Sequence, residues 1–462
     1  MPAQRTPATK IAPARACAYV VVRRVFERGA YADQALHAEA RSLEARDRPL
    51  AMRLAYGAVQ RRGTVDHLIE RLAERRPERL DPPLLAALRL GLYELLYLRG
   101  SPDYAVVADT VELAKSAGGA GHGLVNAVMR RATREGASSL LDGLSDETPA
   151  QAAIKHSHPE WLARLWWEEL GPEQARALMA YDNEPGELAL RANTLLADPG
   201  VLARQLPVPT HGDPHIPEAL VAEEPFDVHA SSLWQEGAFL PQSRAAMLVS
   251  RALAPVAGER VLDLCAAPGG KSTHLAALME GRGEVVAVER NPRRADALER
   301  TAKRLGAENV RVELGDAASW PAAGAPEGRE YDRVLVDPPC SGLGTLQARA
   351  DLRWRASPEA ISEMAREQAR ILAAGASALR PEGVLVYSTC TISPTENERQ
   401  IEAFLDSHRD FTVDDLTIEL PDLRLPGSAP ASAGTNGSSG LVLTLPHRDR
   451  TAGFFIARLR RS

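Results

Sequence analysis

From Gly258 onward, short apolar segments typical of β-strands alternate with helical segments. The strand-like segments are RVLDLC (260–265), EVVAVE (284–289), VRVEL (310–314), RVLVD (333–337) and GVLVYSTC (383–390). Strands that are apolar at nearly every position are typical of a parallel sheet, because the helical connections between parallel strands cover both of its faces. GFFIARLRR (453–461) predicts one further strand. The pattern predicts an α/β domain over residues 241–462.

The first third of the chain has the repeat of amphipathic helices instead. Between Ala14 and Arg134, apolar residues recur at spacings of three and four, and no alternation typical of strands intervenes. Breaks between helices are expected at Gly29, Gly63, Pro82 and Gly100. We predict an all-α bundle over 13–137, preceded by a disordered tail over 1–12.

Residues 138–240 mix the two patterns. HPEWLARLWWEEL (158–170) is typical of a helix, ELALRANTL (187–195) is a shorter segment, and prolines between 207 and 217 predict turns. We predict a small α+β linker domain here. Farther along, the Ser/Gly/Pro/Ala-rich stretch 426–440 predicts a mobile loop.

Composition and cysteine spacing exclude several classes of protein. No segment approaches the roughly 18 uninterrupted apolar residues of a membrane span, and no secretory signal precedes the first helix. The four cysteines, Cys17, Cys265, Cys340 and Cys390, have neither paired nor metal-type spacing. This usage indicates reduced thiols in a cytoplasm and no metal site. We expect a soluble cytoplasmic protein, with a monomer as the default state and no membrane partner.

Charge is distributed unevenly between the two ends of the chain. The formal net charge is −6, yet residues 1–136 carry 22 basic against 15 acidic side chains. A basic helical module joined to an acidic remainder suggests that the first part holds a polyanion such as RNA. The candidate phosphate contacts are Arg61, Arg62, Arg75, Arg130 and Arg131. The alternative is a solvated arginine-rich surface.

A glycine-containing turn follows the first strand of the α/β domain, in VLDLCAAPGGKSTHLAALM (261–279). Glycines allow a ligand to approach the backbone, and the following helix N-terminus favours negative charge. A phosphate-binding loop needs glycine where Cys265 stands, and a dinucleotide fingerprint needs three spaced glycines. S-adenosylmethionine fits better, because its carboxylate can take the loop amides.

Two acidic residues end neighbouring strands and complete this hypothesis. Glu289 is placed to accept hydrogen bonds from ribose hydroxyls, and Asp316 is placed to accept one from the adenine amine. The alternative for both is a carboxylate that only caps a loop.

Two cysteines follow strands at the same edge of the predicted sheet. Cys340 lies in VLVDPPCSGLGTL (334–346) and Cys390 in VYSTCTISPTENE (386–398). Ligands of open parallel sheets bind outside the carboxyl ends of the strands, so both thiols are expected beside the cofactor. Cysteine is commonly a small buried hydrophobe, but the polar, turn-forming neighbours of these two favour chemistry.

A thiol beside S-adenosylmethionine suits methylation of a pyrimidine carbon. Cytosine C5 attacks a sulfonium methyl group only after activation, and addition of a thiolate to C6 supplies it. Asp337 is a candidate to hold ring N3 and the exocyclic amine, and Lys271 to balance the anionic charge. A second thiol is a candidate to assist elimination or product release. The base must be single-stranded or flipped out to be reached.

These motifs resemble the RNA cytosine-C5 methyltransferases of the Sun/Nol1/Nop2 type. The resemblance lies in CAAPGGK (265–271), DPPCSG (337–342) and STCT (388–391), in the family's order and spacing. It implies a Rossmann-like S-adenosylmethionine-dependent methyltransferase domain, with attack by Cys390 and product release by Cys340. The cofactor positions that it implies are Cys265, Ala266, Ala267, Pro268, Gly269, Gly270, Lys271, Glu289, Asp316 and Asp337. Glu289 departs from the aspartate usual in this family.

The helical part resembles a second family, the RNA-binding antitermination factor NusB. The resemblance lies in RLAYGAVQRR (53–62), ALRLGLYELLYL (87–98) and GLVNAVMRR (123–131). A NusB-like domain ahead of such a catalytic domain is similar to the bacterial ribosomal RNA small-subunit methyltransferase B family, which implies a cytosine in 16S rRNA as the target. Another RNA, a non-catalytic RNA-binding assembly factor and a protein methyltransferase are the alternatives, although a nitrogen acceptor would not require Cys390.

Overall fold

The computed structural model of the chain describes residues 11–118, 120–320, 330–425 and 440–462. Most of the predicted tail (1–12) and of the predicted loop (426–440) lies outside these residues. The chain divides into two compact units, Met1–Glu184 with Leu346–Arg355, and Pro185–Thr345 with Ala356–Ser462. The predicted domain limits near 137 and 240 follow sequence pattern instead and stay predictions.

The first unit is helical, as the sequence predicts. Its helices are α1 (Pro13–Arg28), α2 (Ala32–Glu39), α3 (Arg48–Gln60), α4 (Arg62–Ala73), α5 (Pro82–Tyr97), α6 (Asp103–Ser116), α7 (His122–Glu135), α8 (Ala137–Asp142), α9 (Pro149–His156) and α10 (Glu160–Tyr181), which is broken at Gly171. Gly29 ends α1 in a left-handed conformation, and Pro82 begins α5. The expected break at Gly63 is wrong by two residues, because the chain turns at Arg61 and Gly63 lies inside α4.

Charged side chains inside the leucine-rich helix α5 are paired. Arg89 donates to Asp66 at 2.7 Å, and Glu94 accepts from Arg15 at 3.0 Å. Pairing offsets the cost of burying these charges. No helix in the described residues is both long enough and apolar enough to cross a membrane.

Four of the five candidate RNA-contacting arginines have partners within the first unit, and one of them, Arg130, donates to Asn126 Oδ1 at 3.1 Å. The Arg61 guanidinium lies 4.6 Å from the ring centre of Tyr97, and that of Arg62 lies 4.8 Å from Phe26. Arg131 forms an ion pair with Glu74 at 3.1 Å. These contacts stabilise the bundle, so a loss of RNA binding on substitution would not by itself indicate a phosphate contact.

A ten-residue segment from the middle of the sequence packs within the first unit. Arg353 of this segment is fully buried and donates to the carbonyl oxygen of Ser157 and to Asn183 Oδ1, both at 3.0 Å. The Trp354 indole donates to the carbonyl oxygen of Val59 at 2.7 Å. Leu346–Arg355 therefore completes the helical unit, although more than 160 residues separate it from α10 in the sequence.

The second unit holds two sheets. Its elements are β1 (Leu188–Ala192), α11 (Pro199–Gln205), β2 (Thr210–Asp213), β3 (Ile216–Ala222), α12 (Ser232–Gln235), β4 (Phe239–Pro241), α13 (Arg244–Leu253), β5 (Arg260–Asp263), α14 (Gly270–Leu278), β6 (Glu284–Glu289), α15 (Pro292–Arg304), β7 (Val310–Leu314), β8 (Tyr331–Val336), α16 (Pro358–Ala378), β9 (Leu379–Thr389), α17 (Glu398–Ser407), β10 (Phe411–Val413), β11 (Val442–Leu443), α18 (Pro446–Asp449) and β12 (Phe455–Arg461).

The smaller sheet is antiparallel, in the order β2-β3-β1-β4. Its hairpin β2–β3 occupies 210–222, where the prolines predict turns, so that expectation is wrong in part. Pro217 is tolerated because it is the second residue of β3, next to the turn, where the register of the hairpin shifts and Asp213 pairs with Ile216.

The larger sheet has the order β10-β12-β9-β8-β5-β6-β7, with β11 paired to β12. Strands β5 to β9 are parallel, as predicted, and the last strand, β12, is antiparallel to β9. This is the predicted Rossmann-like arrangement. The chain runs outward from β5 through β6 to β7 and then returns to β8 on the other side of β5. Ligands of such sheets bind at this reversal of strand order.

Candidate active site

Two predicted site residues are in contact at the point where the strand order reverses, between β5 and β8. Lys271 lies in the first turn of α14, after β5, and its Nζ donates to Asp337 Oδ2 at 2.7 Å, just after β8. Ser388, near the end of β9, donates to the other carboxylate oxygen of Asp337 at 2.8 Å. Asp337 is therefore held by one residue of α14, which follows β5, and by one residue of β9, and it keeps lone pairs for a further donor.

The charge of Lys271 is maintained despite its burial. Burial alone would lower its pKa, but the Asp337 carboxylate 2.7 Å away more than offsets this, and the pKa is raised. The thiolate form of Cys390 raises the pKa of Lys271 further. Lys271 thus places a positive charge next to both an acid and a thiol.

The two predicted catalytic cysteines lie side by side. The Sγ atoms of Cys340 and Cys390 are 3.3 Å apart, and both residues are partly exposed. The hydrogen bond with Cys390, together with burial, raises the pKa of Cys340 well above that of a free thiol. Cys340 therefore stays protonated near neutral pH and is suited to donate a hydrogen bond to a neighbouring thiolate rather than to attack.

The glycine-containing loop after β5 is held at its carbonyl oxygens. Arg191 of β1 donates to the carbonyl oxygen of Gly270 at 2.6 Å, and Arg294 of α15 donates to that of Ala267 at 2.8 Å. Gly269 precedes α14 with φ of 100°, a conformation that disfavours other residues. The first N–H groups of a helix lack partners within it, so this loop presents donors for an anion.

The beginning of the same loop is packed rather than reactive. Ala266 and Ala267 are buried against Ala287 and Leu298. Burial raises the pKa of Cys265 strongly, so its thiol stays neutral. The structure places Pro268 between these residues and Gly269, after a cis peptide bond.

The two predicted acids end neighbouring strands, β6 and β7. Glu289 is buried, accepts the N–H of Asn291 at 2.8 Å, and lies 3.5 Å from Arg294. The N–H of Gly315 donates to the carbonyl oxygen of Glu289 at 3.2 Å, which brings Asp316 next to that strand end. The Asp316 carboxylate is exposed and accepts the N–H of Ala318 at 3.2 Å. Capping is thus one present role of both acids.

The donors and acceptors around the loop fit S-adenosylmethionine. Loop N–H groups suit its carboxylate, and the Glu289 and Asp316 carboxylates suit hydroxyl and amine donors. Within the described residues, both polar atoms of the Gln242 amide are buried without a hydrogen-bond partner. A Cβ added at Gly270 would lie 3.7 Å from Gln242 Cδ, so this unpartnered amide borders the loop.

The chain is similar to known proteins over nearly its whole length. A family model described as 16S rRNA methyltransferase RsmB/F matches residues 250–460. A protein of Synechocystis named as a probable ribosomal RNA small subunit methyltransferase B is 34% identical over 97% of this chain and 99% of its own length. This chain belongs to the 16S rRNA methyltransferase RsmB/F family. A Bacillus subtilis protein of the same name is also 34% identical, over 94% of this chain and 95% of its own.

The fold of this RsmB/F family member is confirmed independently. The NusB family model matches residues 12–134, which supports the predicted helical domain. The crystal structure of the protein PH0851 is similar over 98% of this chain and 99% of its own, with a TM-score of 0.77 and 27% identity.

Several side chains at this site do not stand out in the sequence. Ser388 donates to Asp337, and Arg191 and Arg294 donate to carbonyl oxygens of the loop after β5 from other elements of the chain. Glu396 and Asn397 are buried behind the two cysteines. The segment 386–398 contains three of them, but nothing in its polar pattern indicates that Glu396 is buried.

Proposed function

We propose that this protein transfers the methyl group of S-adenosylmethionine to C5 of a cytosine in 16S rRNA through a covalent adduct with Cys390. The pair of thiols 3.3 Å apart, next to the ion pair of Lys271 and Asp337, carries this proposal. Methyl transfer to nitrogen or oxygen needs no thiol, whereas C5 of a pyrimidine needs a nucleophile at C6.

Cys390 attacks because it is the thiol next to the lysine. A bond forms between Sγ and C6, and the C5–C6 electron pair becomes available at C5. S-adenosylmethionine supplies the electrophilic methyl group that C5 takes. Asp337 raises the pKa of Lys271 most and the Cys390 thiolate raises it further. The same Coulomb attraction favours the thiolate form of Cys390.

Asp337 orients the base. Its carboxylate is fixed by Lys271 and Ser388, so its remaining lone pairs point in a defined direction. It accepts a hydrogen bond from the exocyclic amine and from the N3–H of a base that binds already protonated at N3, and this N3 proton neutralises the negative charge that develops when the thiolate adds.

Cys340 acts in the second half of the reaction. After methylation, solvent water takes the proton from C5, the C–H electron pair forms the C5–C6 double bond again, and the Sγ–C6 electron pair leaves with the sulfur as the Cys390 thiolate. The departing Cys390 thiolate lies within hydrogen-bond distance of the Cys340 thiol, whose pKa is raised. Cys340 therefore assists release by donating a hydrogen bond to the leaving sulfur.

The cofactor is held by the loop after β5 and by the acids that end the next strands. Residues 265–271 provide N–H donors for its carboxylate, Glu289 accepts from the ribose and Asp316 from the adenine amine. Asp337 lies where cofactor and base meet. The target base is single-stranded or flipped out, and the NusB-like helical domain supplies further RNA contacts.

The test is methyl transfer from labelled S-adenosylmethionine to unmodified 16S rRNA, followed by nucleoside analysis. Wild-type protein, Cys390→Ala, Cys340→Ser and Cys17→Ala are compared. Cys17 is a buried cysteine of α1 and serves as the matched control for loss of a thiol.

We expect labelled 5-methylcytosine from wild type and from Cys17→Ala, and none from Cys390→Ala. Cys340→Ser should accumulate an RNA–protein adduct that survives denaturation. Full activity of Cys390→Ala would overturn the covalent mechanism. A different methylated nucleoside would overturn the assignment to C5. If another RNA is methylated and 16S rRNA is not, the proposal that 16S rRNA is the substrate is overturned.

A further inference from the structure

A buried polar cluster lies directly behind the two cysteines. Glu396 and Asn397 are adjacent residues in the turn that precedes α17, and their exposed fractions are 0% and 1%. The mechanism above uses neither side chain. Burial of a carboxylate is costly unless hydrogen bonds replace its water, so its partners indicate what it holds.

Glu396 binds the residues that flank Cys340. Its Oε1 accepts the backbone N–H of Ser341 at 2.8 Å, and its Oε2 accepts the Ser341 hydroxyl. Oε1 also accepts the amide of Gln368 at 3.0 Å, and the same amide donates to the carbonyl oxygen of Pro339 at 2.9 Å. One carboxylate thus fixes the residues before and after Cys340.

Asn397 binds the residues that flank Cys390 in the same manner. The Thr389 hydroxyl donates to Asn397 Oδ1 at 2.5 Å, and Asn397 Nδ2 donates to the carbonyl oxygen of Thr391 at 3.0 Å. Of these two successive residues, Glu396 therefore holds mainly the loop of Cys340, and Asn397 holds the loop of Cys390.

The two halves are joined by a hydrogen-bond chain. Ser341 Oγ and Thr391 Oγ1 are 2.6 Å apart, and the Ser341 hydroxyl donates to Glu396. Thr391 donates in turn to Ser341 or to the Glu396 carboxylate itself. Burial raises the pKa of Glu396, and the hydrogen bonds from Ser341 and Gln368 offset part of that shift. Tyr387 fixes the turn itself, because its hydroxyl donates to the carbonyl oxygen of Glu396 at 2.7 Å.

We propose that Glu396 and Asn397 are positioning residues that set the distance between the two catalytic thiols, Glu396 by holding the Cys340 loop and Asn397 by holding the Cys390 loop. The assignment of a separate step to each thiol rests on the proposed function. We call Glu396 and Asn397 the clamp residues. The assignment of each clamp residue to one loop rests on the hydrogen bonds alone.

A purely structural role is the alternative, since buried polar networks also rigidify a fold. The two roles differ in what substitution does to each cysteine. Loss of a general stabilising network would affect both thiols alike. Loss of one clamp residue should affect mainly the thiol whose loop it holds.

The experiment measures the alkylation rate of each cysteine in the full-length protein with iodoacetamide, resolved by peptide mass spectrometry. The variants are Glu396→Gln and Asn397→Ala. Glu396→Gln keeps the size of the side chain, but it replaces one carboxylate oxygen with an NH2 group, which then faces another hydrogen-bond donor. Glu402→Gln and Glu402→Ala, at an exposed position of α17, are the matched controls.

We expect Glu396→Gln to change the rate at Cys340 at least fivefold and that at Cys390 less than twofold, and Asn397→Ala to do the reverse. If either variant does not fold, Ser341→Ala and Thr389→Val take its place. Ser341→Ala removes a hydroxyl bound by Glu396, and Thr389→Val removes one bound by Asn397. Equal changes at both thiols, or no change at either, would overturn the clamp.

Methyl transfer gives the second readout and separates this inference from the proposed function. kcat should fall about tenfold in both variants with KM for RNA and for S-adenosylmethionine unchanged. Glu396→Gln should accumulate the RNA adduct, and Asn397→Ala should form less of it. If wild-type protein does not methylate 16S rRNA, the proposed function fails, while the alkylation rates still decide whether the clamp exists.

Discussion

Lys271 Nζ lies 2.7 Å from Asp337 Oδ2, and this ion pair joins the loops that follow the two strands at the centre of the sheet. Each partner makes the burial of the other tolerable, because an unpaired buried charge is strongly destabilising. The pair also sets the electrostatics of the Cys390 thiol.

Lys271→Gln should therefore lower the single-turnover methylation rate by about 100-fold, since it leaves Asp337 without its counter-charge and Cys390 without a neighbouring cation. Lys303→Gln, at an exposed position of α15, is the matched control and should leave the rate unchanged. The double variant with Asp337→Asn should lose less than the product of the two single losses, because the missing counter-charge is then counted once, whereas Cys390 still lacks its neighbouring cation. Additive losses would show that the two side chains act independently.

Gly344 should not tolerate a side chain. Its N–H donates to the carbonyl oxygen of Cys390 at 3.0 Å, and a Cβ at this position would lie 2.0 Å from the carbonyl oxygen of Gly453. Gly344→Ala should lower the unfolding free energy by about 3 kcal/mol and abolish adduct formation, because the backbone at Cys390 must shift. Urea unfolding and adduct trapping measure the two effects.

Gly123→Ala controls for the loss of glycine, because a Cβ there meets nothing within 4 Å and α7 favours alanine. It should be neutral or stabilising. Wild-type stability and adduct formation in Gly344→Ala would contradict the close approach of the two glycine backbones.

His274 should make the second unit less stable in acid. Burial lowers its pKa from 6.5 to about 4, although its Nε2 is hydrogen-bonded to Glu218 at 2.6 Å. The unfolded chain therefore takes up this proton near pH 6.5 and the folded chain near pH 4, so the stabilisation is complete above pH 6.5 and falls as the pH drops from 6.5 to 4.

In His274→Gln, the decrease in unfolding free energy between pH 6.5 and 4 should be smaller than in wild type by about 2 kcal/mol. His215→Gln, at an exposed position, should keep the wild-type slope. Urea unfolding at several pH values measures the slopes. If unfolding free energy depends on pH equally in His274→Gln and in wild type, the pKa of this imidazole is the same in the folded and unfolded chains, which contradicts the prediction.

Arg353 should be essential for the stability of the first unit. Its guanidinium is fully buried and donates to carbonyl or amide oxygens of Ser157, Asp182 and Asn183. Arg353→Met should cost about 3 kcal/mol of unfolding free energy, because those acceptors lose their donors. Arg349→Met, exposed in the same segment, should cost less than 0.5 kcal/mol. Equal thermal midpoints for the two variants would contradict the role of the buried arginine.

Local sequence pattern was sufficient for much of this fold. The segments EVVAVE and VRVEL coincide with β6 and β7 to the residue. Short runs rich in valine and flanked by polar or turn-forming residues favour a strand over a helix. Cys340, Cys390, Asp337 and Lys271 were predicted to meet at one edge because the carboxyl ends of parallel strands share an edge.

What the sequence did not indicate depends on contacts between distant segments. Glu396 looks like a residue of an exposed loop, and only the positions of Ser341 and Gln368 make it a buried acceptor. The place of Trp354 in the helical unit depends on Val59, 295 residues away. The hairpin at 210–222 was missed because prolines near a turn and prolines inside a strand have the same local pattern.

The position of Leu346–Arg355 has a consequence for how this protein can be cut. A fragment that ends at Glu184 lacks the ten residues that fill its own helical unit, and a fragment that begins at Pro185 carries Trp354 and Arg353 without their partners. Linear truncation therefore produces two imperfect pieces. A helical fragment that keeps all of these packing contacts therefore needs both Met1–Glu184 and the decapeptide Leu346–Arg355, which a single cut in the chain cannot provide.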